Sequence, residues 1–277
     1  MISIQNLSFA YKKKQVFKGL SLEFKPGHVY GLLGRNGTGK SSLLHNIAGL
    51  LFPKGGSIRV NGHEPSERQP QFLQDIFLVS EEFYLPDIPL ADLTRHYAPF
   101  YPRFNKDQFR KYINIFEIPQ NSTLQNMSYG QKKKVLIAFA LATNASVLLM
   151  DEPTNGLDII AKSQFRKLLA EALDEERCVI ISTHQVKDLE NLIDRVTIIE
   201  DGKILFDQTL ETISQTLAFR FVQDESEAGY VLYSESSFTG NVIITPNDTG
   251  MDTKMDLELL YKAIVTNSQA ITKLFHS

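Results

Sequence analysis

Cysteine, net charge and long apolar runs are all scarce in this sequence, and each scarcity excludes something. Cys178 is the only cysteine among 277 residues, so no disulfide forms within the chain and a reducing compartment suits it. No apolar run approaches the roughly 20 residues that a membrane-spanning helix needs. Residues 1–4 start directly on a strand pattern, without the basic region and apolar core of a signal peptide. We therefore expect a soluble chain that cannot itself form a path across a membrane.

The charge balance is close to neutral. Lysine and arginine together number 29 and the acidic residues 32, which gives a net charge of -3. This balance offers no electrostatic reason to expect a nucleic-acid partner, and the lysine runs at 12–14 and 132–134 are too short to change that. With 43% hydrophobic residues, the chain can bury a substantial core in one or two domains.

A glycine-rich loop lies between a predicted strand and a predicted helix. Residues 34–42 follow the pattern G-x-x-x-x-G-K-[ST], after an apolar run at 29–33 and before leucine and isoleucine at helical spacing. Glycines let the backbone amides curl toward phosphates, and the helix N-terminus adds its positive dipole end. An ordinary glycine-rich turn entering a helix is the alternative. The pattern predicts a nucleotide phosphate site made of Gly34, Arg35, Asn36, Gly37, Thr38, Gly39, Lys40, Ser41 and Ser42.

Within this loop two side chains have distinct predicted roles. Lys40 would reach the β- and γ-phosphates of the nucleotide, and Ser41 would give its hydroxyl to Mg²⁺. The expected ligands of the site are therefore a nucleotide and Mg²⁺.

A pair of carboxylates follows a second apolar strand pattern at residues 147–150. Asp151 could join the Mg²⁺ shell, and Glu152 could orient or deprotonate the attacking water. A solvated loop edge is the alternative for two neighbouring acids at a strand end. The phosphate loop earlier in the chain favours the catalytic interpretation.

Residues 127–131, read as Met-Ser-Tyr-Gly-Gln, lie between these two motifs. In this order the motifs resemble the ATP-binding subunit of ABC transporters over about residues 1–215, where the signature reads LSGGQ. The resemblance implies that Ser128, Gly130 and Gln131 contact the γ-phosphate held by another subunit, so that two head-to-tail subunits sandwich two nucleotides. Taken alone, the pentapeptide would predict an ordinary helix N-cap at Ser128.

Three more residues match this family by position. The resemblance implies that Asp158 lies in the D-loop that communicates between the two sites, and that His184 is the switch histidine that senses the γ-phosphate. Tyr11 resembles the aromatic residue that stacks on adenine. The alternatives are a polar loop residue for His184 and a packing or exposed tyrosine for Tyr11.

The sequence departs from the family pattern at two positions. Where the family usually carries a Mg²⁺-binding glutamine after a strand, here at residues 76–80, the best match is Glu81, whose carboxylate can also bind Mg²⁺ but adds negative charge. Tyr129 replaces a glycine of the signature, and its ring must point away from the phosphate if Ser128 and Gly130 are to bind it.

The predicted fold class is α/β: a phosphate-loop NTPase core with a parallel sheet, an N-terminal antiparallel sheet, a helical subdomain and a small C-terminal α+β extension. We expect an ATPase domain at 1–215, with helices at about 82–145, and an accessory region at 216–277. The antiparallel strands are predicted near 2–10, 16–24 and 57–60, with a turn at Asn61-Gly62. In the accessory region the patterns predict strands at 219–222, 230–233 and 242–245 and then a helix whose shared face carries Leu257, Leu260, Tyr261 and Ile264.

Two details of the helical region are predicted from its pattern. Asn105 with Gln108 resembles a capping box ahead of an apolar face. The aromatic, proline-broken segment 83–90, with Tyr97, Phe100 and Tyr101, either leaves apolar surface for a partner or is buried within the lobe. The resemblance implies that this region receives the membrane subunit.

These features predict an ATP hydrolase that works as a homodimer, or paired with a similar ATPase subunit, and drives transport through a separate integral membrane permease. Export is the expected direction of transport, because the short C-terminal extension and Glu81 at the glutamine position resemble those of exporter ATPases. The subunit would be cytoplasmic and peripheral on the inner face of the cell membrane. The alternative is a soluble ABC ATPase of an assembly or regulatory complex without a permease.

Overall fold

A computed structural model describes residues 1–189, 192–225, 228–248 and 250–275. Its strands are β1 (Ile2–Tyr11), β2 (Lys14–Phe24), β3 (Val29–Leu33), β4 (Gly55–Val60), β5 (Ile76–Val79), β6 (Val147–Asp151), β7 (Cys178–Thr183), β8 (Arg195–Glu200), β9 (Lys203–Thr209), β10 (Leu217–Val222), β11 (Tyr233–Ser237) and β12 (Gly240–Pro246). Its α-helices are α1 (Lys40–Ile47), α2 (Pro70–Leu73), α3 (Leu90–Tyr97), α4 (Lys106–Ile115), α5 (Tyr129–Ala142), α6 (Ile159–Ala172), α7 (Leu210–Thr216) and α8 (Leu257–Lys273).

The central sheet has the strand order β5-β6-β7-β3-β8-β9, in which only β9 runs antiparallel to its neighbour. Every residue of β3, β6 and β7 is buried, as expected for parallel strands covered on both faces. In the register, Asp151 lies opposite Ser182 and Leu33 opposite Thr183. The carboxyl ends of three adjacent strands therefore meet at one edge, where ligands bind in sheets of this kind. This architecture confirms the predicted α/β phosphate-loop fold.

The N-terminal sheet, ordered β2-β1-β4, is antiparallel as predicted. Its buried side chains share one hydrophobic cluster with those of α1. Asn61 and Gly62 both have positive φ, at 49° and 84°, which confirms the predicted turn. Cys178 is buried in β7, and burial raises the pKa of its thiol to about 12, so the thiol serves packing.

Helices α3, α4 and α5, together called the helical lobe, lie within residues 82–145, which the sequence predicts to be mainly helical. The predicted apolar face of α4 is confirmed, because Phe109, Tyr112, Ile113 and Phe116 are all buried. Asn105 Oδ1 accepts bonds from the amides of Asp107 and Gln108 at 3.0 Å each, so the predicted cap is present. The second half of the predicted box is wrong, since Gln108 Oε1 accepts a bond from the Asn144 side chain at 2.9 Å.

The accessory region contains a separate antiparallel sheet, ordered β10-β12-β11, and helix α8. The strand predicted at 230–233 is wrong in its bounds: pairing starts where Leu232 donates to the Ile244 carbonyl at 2.8 Å, and Gly229 before it has a φ of 73°. Leu257, Leu260 and Ile264 of α8 are buried in the same cluster as strand residues of the central sheet. The accessory region therefore packs directly on the part of the chain that contains the central sheet.

Across the described ranges, no helix combines the length and apolar character that crossing a membrane requires.

Candidate nucleotide site

The phosphate loop leaves β3 and enters α1 through backbone conformations that favour glycine. Gly37 and Gly39 have φ values of 83° and 110°. A Cβ on Gly39 would lie 2.7 Å from Phe17 Cε1, and one on Gly34 would collide with the Ile199 carbonyl oxygen. The loop is therefore pressed against neighbouring strands, and its glycines are required by both conformation and space.

Lys40 begins α1, and its ammonium folds back over the loop. Nζ donates to the carbonyl oxygens of Gly34 at 2.7 Å and Arg35 at 3.1 Å. Burial lowers the pKa of Lys40, and the nearby carboxylates Glu152 and Asp151 oppose that shift. The lysine is thus held where a phosphate oxygen could replace a loop carbonyl as its partner.

The two carboxylates of the β6 end have different surroundings. Asp151 is buried and accepts a bond from the Ser182 hydroxyl. Glu152 Oε2 accepts from Thr183 Oγ1 at 2.8 Å, while Oε1 accepts from the His184 amide at 2.9 Å and lies 2.7 Å from His184 Nδ1. The contacts bring Glu152 and His184, distant in sequence, into direct hydrogen bonding.

Glu152 also has an unusual backbone, with a φ of 46° that a non-glycine residue adopts at a cost of about 1–3 kcal/mol. Its amide donates to the Ser182 carbonyl at 3.0 Å, which fixes the turn against β7. The strained turn carries the carboxylate out of the strand direction and toward the phosphate loop.

One cavity of about 340 Å³ brings together Tyr11 and six of the nine residues predicted for the phosphate loop. It is lined by Tyr11, Lys14, Val16, Asn36, Gly37, Gly39, Lys40, Ser41, Ser42, Glu81 and Glu152. An adjacent cavity of about 240 Å³ is lined by Gly34, Arg35, Asn36, Thr183, His184, Val186 and Tyr261. The loop at 34–42 therefore separates two hollows, one facing Glu152 and one facing His184.

Tyr11 forms part of the wall of the larger cavity. Its hydroxyl accepts a bond from Ser42 Oγ at 3.3 Å, and its ring packs edge-on against Phe9 with centroids 4.9 Å apart. With 47% of the residue exposed, the ring has a free surface for a planar base.

Ser41, Asp151 and Glu81 provide the oxygen atoms that could hold Mg²⁺. Ser41 and Glu81 line the same cavity, and Asp151 ends the strand beside it. A hydroxyl and carboxylates, completed by phosphate oxygens and water, are the donor set that Mg²⁺ prefers. Glu81 Oε1 accepts a bond from the Asn155 side chain at 3.0 Å, which orients this carboxylate.

The signature and D-loop residues lie outside both cavities of their own chain. Ser128 caps α5 in a reciprocal box: Gln131 N donates to Ser128 Oγ at 3.3 Å, and Ser128 N donates to Gln131 Oε1 at 2.9 Å. Asp158 Oδ1 caps α6 by accepting from the Ala161 amide at 2.7 Å. The two cavities beside the phosphate loop are therefore not lined by the signature residues Ser128, Gly130 and Gln131 of the same chain, nor by its Asp158.

Tyr129 turns toward its own chain. Its hydroxyl donates to the Glu81 carbonyl at 2.9 Å, and its ring packs on Phe83 with centroids 5.5 Å apart. The ring also lies against Gly156, where an added Cβ would be 2.6 Å from Tyr129 Cε1. The signature is thereby tied to the segment that carries Glu81.

Lys133, which belongs to the lysine run beside the signature, was not among the residues predicted for the site. This lysine is fully buried; Nζ donates to the Ser80 carbonyl at 3.2 Å and lies 5.4 Å from the Phe83 ring centroid. Burial lowers its pKa to about 8, against the opposing attraction of Glu81, Asp151 and Glu152. Lys133 lies four residues before the apolar residue Ile137, and residues at i and i+4 share a helix face. This spacing was the sequence signal that Lys133 would be buried.

The sequence of this chain is similar to those of known proteins over most of its length. A family model described as "ABC transporter" matches residues 17–155. The "ABC transporter ATP-binding protein YtrB" of Bacillus subtilis is 31% identical over 209 residues, which cover 74% of this chain and 70% of that protein. The "Cobalt import ATP-binding protein CbiO" of Salmonella typhi is 31% identical over 226 residues, covering 74% of this chain and 79% of that protein.

Solved structures share the fold. "Structure of ATP binding subunit of ABC transporter" superposes with a TM-score of 0.70 at 24% identity, over 77% of this chain and 91% of that one. "Dimeric Structure of MJ0796, a Bacterial ABC Transporter Cassette" gives a TM-score of 0.67 at 23% identity, over 76% of this chain and 99% of that one.

Proposed function

The chain belongs to the ATP-binding subunits of ABC transporters, which are ATPases coupled to transport, and from this premise we propose that it hydrolyses Mg²⁺-ATP between two head-to-tail copies to drive a separate membrane permease. One observation carries the proposal. The larger cavity places Lys40, Glu81 and Glu152 around the phosphate loop, while the signature lies outside it. Half of a shared site in each subunit accounts for this arrangement.

In the proposed mechanism the loop residues bind and orient ATP. Tyr11 stacks on adenine, the amides of residues 34–42 face the phosphates, and Lys40 exchanges its loop carbonyls for phosphate oxygens. Mg²⁺ held by Ser41, Asp151 and Glu81 would screen the charge that the phosphates share. These contacts hold the γ-phosphate in line for attack by water.

Glu152 is the proposed general base. Its carboxylate accepts a proton from the attacking water as the new oxygen–phosphorus bond forms and the bond to ADP breaks, which yields ADP and phosphate. The 2.7 Å contact with His184 and the bond from Thr183 position that carboxylate. His184 would pass the state of the γ-phosphate to Glu152 through the same contact.

The second copy would contribute Ser128, Gly130, Gln131 and Asp158. The capping box keeps Ser128 and the first amides of α5 at an exposed helix N-terminus, which is an anion-binding position. The similarity to a cassette described as dimeric supports this partnership. Pairing with a similar ATPase subunit would use the same surfaces.

An integral membrane permease is the proposed further partner. An apolar groove of about 630 Å³ runs between the phosphate-loop helix and the helical lobe, lined by Ala48, Leu50, Arg68, Pro70, Leu73, Gln74, Ile76, Leu78, Tyr97, Pro99, Phe100 and Tyr101. Phe100 is 68% exposed there, so the groove offers an aromatic anchor to a docking segment. Docking would place the subunit on the cytoplasmic face of the membrane.

The proposed domain division is an ATPase domain at 1–215, with its helical subdomain at about 82–145, and an accessory region at 216–277. The separate sheet β10-β12-β11 supports the second boundary.

Export is the proposed direction, supported by the short accessory region and by glutamate at position 81. Relatives named for import, such as the cobalt protein, make direction the point to test. Inside-out membrane vesicles that contain the permease would be given ATP and a metabolite extract of the same cells. ATP-dependent accumulation of a compound inside the vesicles supports export, and release of a preloaded compound contradicts it.

The catalytic proposal is tested with the full chain and Glu152→Gln, which keeps the shape of the side chain but removes the base. We expect wild type to hydrolyse Mg²⁺-ATP and the variant to lose at least about 100-fold in kcat. Sedimentation should show the variant as a dimer with ATP and as a monomer without it, because unhydrolysed ATP keeps the two copies together.

Glu176→Gln is the matched control, since Glu176 is exposed in the loop before β7. It should hydrolyse ATP like wild type. If neither wild type nor Glu152→Gln binds ATP or dimerises, the shared-site mechanism is wrong. If hydrolysis stands but detergent-solubilised membranes never yield an integral partner, the ATPase belongs to an assembly or regulatory complex without a permease.

A further inference from the structure

Helix α8 of the accessory region reaches the phosphate loop through a buried glutamate. Tyr261 Oη donates to Glu200 Oε2 at 3.4 Å, and Arg35 Nε donates to Glu200 Oε1 at 2.6 Å. The Glu200 carboxylate is therefore held between Tyr261 and Arg35, and its side chain is only 7% exposed. Residue 261 is thus linked to residue 35, which lies at the start of the loop.

The Tyr261 side chain also forms part of the wall of the smaller cavity. That cavity includes Gly34, Arg35 and Asn36 of the loop and His184 on its other side. Burial raises the pKa of the Tyr261 hydroxyl and the Glu200 charge raises it further, while the Arg35 charge and backbone amide oppose the shift. Near neutral pH the hydroxyl is therefore a hydrogen-bond donor.

Arg35 occupies a position from which small shifts reach the whole loop. Its carbonyl accepts bonds from Thr38 Oγ1 at 2.9 Å and Lys40 Nζ at 3.1 Å. A displacement of Arg35 would therefore move the acceptor that orients Lys40 and the turn that leads to Gly39. The side-chain bond to Glu200 restrains this displacement.

A second link ties α8 to the segment after His184. Lys187 lies 3.2 Å from Glu258, which also pairs with Lys262 at 3.0 Å. Lys262 in turn bonds Glu235 of β11 at 2.9 Å. Helix α8 is therefore tied both to the accessory sheet and to the segment that follows His184.

We propose that Tyr261 is a positioning residue for ATP binding, which acts through Glu200 to hold Arg35 and the start of the phosphate loop in place. The inference rests on the proposed binding of ATP at this loop. It assigns the accessory region a direct part in the nucleotide site, and residue 261 lies outside the stretch that the family model matches.

The test uses the full chain in a Glu152→Gln background, so that ATP binding is measured without turnover. Equilibrium dialysis with Mg²⁺-ATP gives the Kd for the parent, for Tyr261→Phe and for the control Tyr230→Phe, whose tyrosine is 68% exposed in the same region. Loss of one hydrogen bond predicts a Kd that rises about three- to tenfold for Tyr261→Phe and stays unchanged for the control.

Two further readouts separate positioning from packing. With Glu152 intact, Tyr261→Phe should raise KM by the same factor and leave kcat within about twofold, because the loop binds ground state and transition state alike. Tyr261→Phe should raise the Kd for ATP much less in a Glu200→Gln variant than in the parent, since both substitutions disrupt the same set of contacts between α8 and Arg35.

A Tyr261→Phe variant that melts earlier but binds ATP as tightly as Tyr230→Phe would overturn the inference and leave α8 a packing element. If the effects of Tyr261→Phe and Glu200→Gln on ATP affinity were fully additive, the inference would also be overturned. Absence of ATP binding by the Glu152→Gln parent would instead overturn the proposed function, and the inference with it.

Discussion

At the scale of residues, the site depends on main-chain positions that tolerate few side chains. Gly39 has a φ of 110°, and the Phe17 ring occupies the space that a Cβ at this position would need. Glu152 adopts a φ of 46° at the turn after β6. These conformations place an amide-lined loop and a carboxylate on facing sides of one cavity. Local strain here serves binding geometry, and the packed strands around it maintain the strain.

Gly39→Ala should weaken both folding and ATP binding. A Cβ at this φ costs about 1–3 kcal/mol, and its contact with Phe17 would displace the loop. We expect ATP affinity to fall at least about tenfold, measured by dialysis in the Glu152→Gln background. Gly62→Ala is the control, because Gly62 has a φ of 84° with open space around it and lies at the turn between β4 and its bridge partner. Equal ATP affinities for the two variants would contradict the loop geometry.

Lys133 gives the folded protein a specific pH dependence. Its pKa of about 8 lies below the ordinary value of 10.5, so between these pH values the unfolded chain binds more protons than the folded one. The contribution of Lys133 to the free energy of unfolding therefore rises as the pH increases from 8 to 10.5. Below pH 8 the buried ammonium destabilises the folded protein by its full amount. Lys133→Met should be more stable than wild type at pH 7.

Urea unfolding of wild type and Lys133→Met at several pH values would measure the effect. The difference in the free energy of unfolding should shrink by up to about 3 kcal/mol from pH 7 to 10.5. Lys132→Met, at a partly exposed neighbouring position, should follow wild type. A constant difference across this range would mean that Lys133 does not titrate as the buried site requires.

At the scale of elements, helix caps serve both stability and function. Asn105 caps α4 in the helical lobe, and Ser128 caps α5 at the signature. Both side chains accept bonds from backbone amides that would otherwise lack a partner. Only the second helix start is proposed to meet a phosphate.

Asn105→Ala and Ser128→Ala should therefore cost similar stability but differ in activity. We expect each to lose about 1 kcal/mol of unfolding free energy. Ser128→Ala should also lose ATP-dependent dimerisation and hydrolysis, because the partner's γ-phosphate loses a contact. Thermal melts and sedimentation with ATP measure both effects, and normal dimerisation of Ser128→Ala would show that its hydroxyl serves as a cap alone.

At the scale of the whole molecule, two separate surfaces are proposed to bind two different partners. The site edge is the surface proposed to face a second copy, and the apolar groove beside the helical lobe is the one proposed to bind a permease. These surfaces involve different residues, since the groove is lined by residues that follow α1, by α2 and β5, and by the end of α3, whereas the nucleotide site uses the start of α1. Hydrolysis by isolated subunits and coupling to transport should therefore be separable by mutation.

Phe100→Asp tests that separation. A charge in the apolar groove should prevent co-purification with the permease, while hydrolysis by the isolated subunit remains within about twofold of wild type. Phe238→Asp is the matched control, because Phe238 is a fully exposed aromatic residue at the β11–β12 turn. Retention of the permease by Phe100→Asp would place the docking surface elsewhere.

The sequence by itself determined the local features of this protein. Glycines with required φ values, apolar strand patterns and the Asn61-Gly62 turn act over a few residues, so the phosphate loop and the strands beside the motifs could be predicted, and the order of the motifs along the chain indicated the fold class through the family resemblance. The carboxylates at 151 and 152 could likewise be predicted, because they follow a strand pattern, and the carboxyl ends of parallel strands lie at the edge of the sheet where ligands bind.

Only the tertiary structure decided which distant groups meet. Lys133 contacts Ser80, Tyr129 contacts Glu81, and Tyr261 reaches Arg35 through Glu200, across separations that no local pattern encodes. The misplaced start of β11 and the second partner of Gln108 have the same origin, since Ile244 and Asn144 lie far along the chain. Side chains at such positions choose partners through long-range packing, which depends on the whole fold and not on the neighbouring residues.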